Sequence, residues 1–147
     1  MYYLDSSALV KLLAREDGSS ELDALLAEPS AAAWSSLIAG VEVARALRRM
    51  GHSEHATQVF DFTFAELVTP SVTVTLAPLT PEIAHLASHV APATVLRSLD
   101  AIHLATALAF RDDWKAFITY DAKQAEAART LGLPVASPRW PPGTVVA

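Results

Sequence analysis

Short apolar runs along the chain alternate with longer stretches in which apolar side chains recur at helical spacing. Residues 1–4 read as a buried strand, after which Ser6 suits a helix cap ahead of Ala8, Leu9, Leu12 and Leu13. Gly18 and Ser19 break that run, and Ser20 with Asp23 resembles a capping box for a helix ending near Pro29. Residues 31–34 give a weakly signalled strand. Ser35 or Ser36 then caps a helix whose stripe is Leu37, Val41, Ala44 and Leu47, closed by Gly51. Ala56, Val59, Phe60, Thr63, Phe64 and Leu67 predict a further helix over residues 54–67. The alternation of Val and Thr in residues 72–76 predicts a strand. Pro81 opens a helix carrying Ile83, Leu86, Ala87 and Val90. Ser98 or Leu99 opens another, apolar nearly all round and therefore buried, that runs to about Arg111. Residues 116–120 form a strand, residues 122–131 a helix closed by Gly132, and residues 133–136 a last short strand.

Strands that alternate with helices predict an α/β fold, a three-layer sandwich around a central parallel sheet of roughly five short strands. At 147 residues the chain fits one domain, taken here as residues 1–136, with an irregular tail over residues 137–147 that holds Pro138, Pro141, Pro142 and Gly143. A hydrophobic fraction of 52% is enough for a real core. No apolar run suits a bilayer span, and the start lacks the pattern of a signal peptide, so the expectation is a soluble cytoplasmic protein. The absence of cysteine removes disulfides and thiolate metal sites, leaving oxygen or imidazole for any metal. The net charge of −5 argues mildly against nonspecific nucleic-acid binding, although Arg45, Arg48, Arg49 and Arg97 could form a local basic rim.

The acids change the picture more than the overall charge does. In open α/β sheets, sites form at the carboxyl ends of the strands. Asp5 follows the first strand and Asp121 follows the strand over residues 116–120. Connecting helices run antiparallel to the strands, so Asp100, in the first turn of its helix, approaches the same edge. Glu42 is harder to place: with a cap at Ser35 or Ser36 it lies nearly two turns into its helix, roughly 10 Å along the axis. Carboxylates gathered this closely stay ionised only with a cation among them, and hard oxygen ligands select Mg²⁺ or Mn²⁺. Each acid also has a plainer reading, as a helix cap for Asp5 and Asp121, a dipole partner for Asp100 and an ion pair with Arg45 for Glu42.

Four stretches taken in order carry a family resemblance. YYLDSSALVKLL (residues 2–13) resembles the first motif of PIN-domain proteins, and LIAGVEVARALRR (residues 37–49) the helix with their second acid. RSLDAIHLATAL (residues 97–108) resembles the third motif, and FITYDAKQAEAARTLGLPV (residues 117–135) the fourth. Size and motif detail look most like the VapC-type toxins of bacterial toxin–antitoxin pairs. That resemblance implies an endoribonuclease dependent on Mg²⁺ or Mn²⁺ that cuts tRNA or ribosomal RNA, a small antitoxin partner, and a homodimer. It implies Asp5 and Asp100 as principal metal ligands, Glu42 and Asp121 completing the acidic cluster, and Ser7 and Thr119 hydrogen-bonding within the site. Arg97, just before the third motif, is placed to touch RNA phosphate.

His103 stands one turn after Asp100, and the expectation is core packing or a contact to Asp100 rather than metal ligation. Phe62 lies off its helix stripe and is a candidate dimer or antitoxin contact. The rival readings are a non-catalytic PIN-like module that binds RNA or protein, and another metal enzyme on a similar fold. A dehalogenase-type phosphatase would want an acid where Ser7 stands, and a receiver domain would want a Lys after a late strand.

Overall fold

The structure, a computed structural model, describes residues 1–61, 63–92, 95–110 and 112–138. Among the described residues seven strands make one sheet. Five of them are parallel: β1 (Tyr2–Leu4), β2 (Ala33–Ser36), β5 (Thr73–Ala77), β6 (Ala116–Ile118) and β7 (Val135–Ala136). β3 (Phe60–Asp61) and β4 (Glu66–Val68) add an antiparallel edge, giving the order β3-β4-β5-β2-β1-β6-β7. Helices cover both faces: α1 (Ser6–Ala14), α2 (Ser19–Leu26), α3 (Ile38–Arg49), α4 (Ser53–Gln58), α5 (Pro81–Ala87), α6 (Ser98–Phe110) and α7 (Ala122–Thr130). The expected three-layer α/β sandwich is therefore the observed fold, and its five parallel strands are the five read from the chain.

β1 is central and buried along its whole length. Because side chains alternate across a strand, Tyr2 and Leu4 join the core under α1, α2 and α3, while Tyr3 joins the opposite core under α6 and α7. There Tyr3 stacks on Phe117 of the neighbouring strand, with centroids 5.1 Å apart and ring planes within 5°. The chain runs from β1 to β2 on one side, while β6 joins β1 on the other. The crevice where the strand order reverses is thus at the carboxyl ends of β1 and β6.

Several local expectations are corrected. Residues 54–67 are not one helix: α4 stops at Gln58 and the chain turns into β3 and β4. The aromatic and β-branched residues there pack better on a pleated edge, and Leu67, 0% exposed, is buried from strand β4 rather than from a helix. β2 continues through Ser36 and Leu37 occupies the cap position without a side-chain cap bond; of the two expected serines only Ser36 touches the helix start, its Oγ accepting from the Ile38 N–H at 3.4 Å. Gly18, at φ 86°, caps α2 in place of Ser20. α1 is capped by Asp5 rather than Ser6. Gly51 and Gly132 do end their helices at positive φ, which glycine adopts without strain. Phe62 and residues 139–147 of the expected tail lie outside the described residues. Ser137 donates to the Thr119 carbonyl at 2.6 Å, and Tyr120 donates to the Pro138 carbonyl, so the tail begins fastened to the end of β6. Among the described residues no helix is long and apolar enough to cross a membrane.

Candidate active site

Asp5 sits where β1 gives way to α1, with its backbone N–H bonded to the Ile118 carbonyl of β6. Its carboxylate is almost fully buried and collects three donors. Ser7 Oγ and the Ala8 N–H donate to Oδ1 at 2.6 and 3.0 Å, and Thr119 Oγ1 donates to Oδ2 at 2.6 Å. The register that pairs Leu4 with Ile118 puts Thr119 opposite Asp5, which is why a hydroxyl from β6 reaches a carboxylate on β1. Burial pushes the Asp5 carboxyl above its ordinary value, against the pull of nearby His103 and of these hydrogen bonds. Ser7 also accepts from the Tyr120 N–H at 2.8 Å, tying the two strand ends together.

Asp121 caps α7, accepting from the Gln124 N–H at 2.9 Å, while its own N–H donates to Thr119 Oγ1. Gln124, buried beneath, donates from Nε2 to the Asp100 carbonyl at 3.3 Å and so joins the start of α6 to the start of α7. Arg97 completes that side. Its Nε donates to Asp100 Oδ2 at 3.0 Å, and its Nη2 lies 3.8 Å from Asp121 Oδ2. The hydrogen bond and charge of Asp100, and then the charges of Asp121 and Glu42, raise the guanidinium further above its ordinary value.

Glu42 is the fifth residue of α3. Since α3 is capped at Leu37, later than the sequence suggests, Glu42 lies about 7.5 Å along the axis from the cap, nearer the sheet end than expected. Ser6 Oγ donates to its Oε1 at 2.7 Å, and His103 Nε2 stands 2.8 Å from the same oxygen. His103 therefore contacts Glu42 and not Asp100, because the α6 turn that points Asp100 at Arg97 points His103 over the sheet end. The other ring nitrogen, Nδ1, lies 3.0 Å from the Tyr3 hydroxyl. In the neutral ring the ionised Glu42 assigns the proton to Nε2, so that Nδ1 accepts from Tyr3. Burial holds the Tyr3 phenol well above its ordinary value and keeps it a donor. Burial alone would raise the Glu42 carboxyl too, but His103, Ser6 and Arg97 together bring it below its ordinary value.

The structure thus gathers the four predicted acids around the ends of β1, β2 and β6, with Ser7 and Thr119 both bonded to Asp5. Sequence reasoning missed the roles of Ser6, Tyr3 and Gln124; His103 is the buried core residue expected, but its acid partner is Glu42 rather than Asp100. The one available signal was helical phase, since His103 follows Asp100 by one turn. Ser6, Ser7, Glu42, Arg49 and Arg97 line a cleft of about 470 Å³ that ends on Tyr120, whose ring carries Lys11 Nζ 4.5 Å from its centroid. Of the expected basic rim, Arg49 and Arg97 border this cleft.

Among the described residues no three acids or histidines stand close enough to hold an ion as they are. The donor types nonetheless suit a hard divalent cation: four carboxylates and no thiolate, two of the carboxylates now facing the Arg97 guanidinium.

A parallel sheet with acids converging at its switch point defines the class of fold, and sequence comparison assigns the family. The sequence model of the PIN domain matches residues 2–130. The chain belongs to the PIN domain family, in its VapC group. It is 37% identical over 144 residues to Ribonuclease VapC47 of Mycobacterium tuberculosis (strain CDC 1551 / Oshkosh), covering 94% of this chain and 97% of that protein. It is 39% identical over 136 residues to Ribonuclease VapC46 of Mycobacterium tuberculosis (strain ATCC 25618 / H37Rv), covering 92% and 96%. A solved structure, a toxin–antitoxin complex from Klebsiella pneumoniae, shares the fold with a TM-score of 0.55 at 20% identity, over 84% of this chain and 89% of that one.

Proposed function

We propose that the protein is a metal-dependent endoribonuclease, the toxin of a type II toxin–antitoxin pair, that hydrolyses RNA phosphodiesters. The observation that carries this reading is the convergence of Asp5, Glu42, Asp100 and Asp121 on one sheet edge, in a chain whose relatives are named ribonucleases. Asp5 and Asp100 would hold Mg²⁺ or Mn²⁺, with Asp121 and Glu42 completing the set. When bound, such an ion polarises a phosphate oxygen and lowers the pKa of a water. The chain's own residues do the rest. Ser7, Thr119 and the Ala8 N–H fix the direction of the Asp5 carboxylate. Ser6 and His103 fix that of Glu42 and keep it ionised at neutral pH. Arg49 and Arg97 offer charge to the RNA backbone along the cleft. The expected substrates are tRNA or ribosomal RNA. A small antitoxin covering the acids, a homodimer and a cytoplasmic setting complete the proposal; all of these rest on the VapC resemblance.

The test is cleavage of total cellular RNA by purified protein with Mg²⁺, with Mn²⁺ and with EDTA, beside Asp5→Asn. Discrete cuts that need both metal and Asp5 are expected. Equal cutting by Asp5→Asn, or in EDTA, overturns the assignment. The alternative is a non-catalytic module that binds RNA or protein. In its favour is the ion pairing of Asp100 and Asp121 with Arg97, which neutralises part of the acidic cluster from within the chain. Retained RNA binding without any metal-dependent cutting would select it.

A further inference from the structure

Arg97 occupies an unusual position for a surface arginine. Its side chain is 80% exposed, yet both ends of its guanidinium face acids of the site, Nε at Asp100 and Nη2 at Asp121. Asp100 Oδ2, which receives that hydrogen bond, belongs to a carboxylate that is only 12% exposed. The same side chain lines two clefts. One runs past Glu42, Ser6 and Arg49, and the other, about 480 Å³, past Asp100, Asp121 and Lys123. Arg97 is thus the partition between them, and the acids lie on either side of it.

We infer that Arg97 is an internal counter-ion, which neutralises Asp100 and Asp121 in the metal-free protein and must leave them before a divalent cation binds. This rests on the metal-dependent reading above and adds a regulation to it. While the pair is closed, a divalent cation meets Asp100 against the charge of a guanidinium already bonded to its Oδ2, so metal affinity is lowered by the fraction of molecules in which the pair is closed. The arginine is well suited to leaving, because a long exposed side chain needs no repacking to swing off. Without it, Asp100 and Asp121 repel each other across a partly buried gap, and the metal-free protein loses stability that an ion restores.

The experiment is calorimetric titration of Mn²⁺ into wild-type protein, Arg97→Gln, Arg97→Lys and, as a control for net charge, Arg49→Gln, with melting temperatures of each protein with and without Mn²⁺. Arg97→Gln should bind Mn²⁺ about threefold or more tightly than wild type, a modest factor because the arginine is solvent-screened. Its metal-induced rise in Tm should also exceed that of wild type. Arg49→Gln should match wild type, and Arg97→Lys should fall between. Unchanged or weaker Mn²⁺ binding by Arg97→Gln, or an equal gain in Arg49→Gln, overturns the counter-ion role while leaving the metal-dependent reading intact. Failure of every form to bind Mn²⁺ overturns that reading, and the counter-ion role with it.

Discussion

At the scale of single residues, the site is a set of carboxylates whose neighbours set their charge. Asp5 is held above its ordinary value by burial, so in the metal-free protein its ionised form opposes folding at neutral pH. That cost fades as pH falls through its folded pKa and vanishes below the unfolded value, about 3.9. Asp5→Asn should therefore raise the Tm of the metal-free protein at pH 7, with the gain shrinking as the pH approaches about 4. Thermal melts in EDTA across that range check it, and a gain that grows on acidification would contradict it. His103 is the second residue to test. Its two nitrogens satisfy Glu42 and Tyr3 at once, so His103→Ala should cost about 2–4 kcal/mol in urea unfolding, from lost packing and stranded polar groups. His103→Gln, which keeps a donor for Glu42, should recover part of that loss, and equal losses in both variants would show that the hydrogen bonds contribute nothing.

At the scale of elements, the clearest lesson lies in residues 54–67. Their apolar positions fit a helical stripe, but from Phe60 to Phe64 the sequence also alternates, Phe60, Phe62 and Phe64 against Asp61 and Thr63. Tertiary packing chose the strand. Phe60 of β3 lies across α3 at Gly40, where an added Cβ would come within 2.6–2.8 Å of the ring. Gly40 sits in the first turn of α3, where alanine would by helix propensity alone gain at most about 1 kcal/mol. Gly40→Ala should instead destabilise the protein by about 1–3 kcal/mol through overpacking. Phe60→Leu in the same chain should remove much of that penalty, a non-additivity that a double-mutant cycle in urea measures. A stabilising Gly40→Ala would mean that β3 does not pack on α3. The later start of α3 has a similar cause: β2 extends to Ser36 because it pairs with β5 through Ala77, a contact that local patterning does not contain.

At the scale of the whole molecule, a net charge of −5 has to coexist with the anionic substrate proposed for the protein. The proposed nuclease resolves this by local placement, with Arg49 and Arg97 on the cleft that holds Glu42. Arg49→Gln should weaken RNA binding and reduce the slope of log affinity against log salt by about 0.7, the value for one single-strand phosphate contact. Filter binding at several salt concentrations in EDTA measures this, and an unchanged slope would take Arg49 off the RNA path. What the sequence determined by itself is the local part. It set five strands, each followed by a helical stripe or a turn, and acids just past β1 and β6 or at the head of α6, because strand runs, caps and punctuation are written in neighbouring residues. What only the tertiary structure decided is everything that joins segments far apart in the chain: the strand order that makes β1 and β6 neighbours, the reach of Ser6 and His103 to Glu42, the edge hairpin over α3, and the arginine standing between two acids. These depend on which surfaces are buried together, and burial is a property of the packed molecule rather than of any stretch of its sequence.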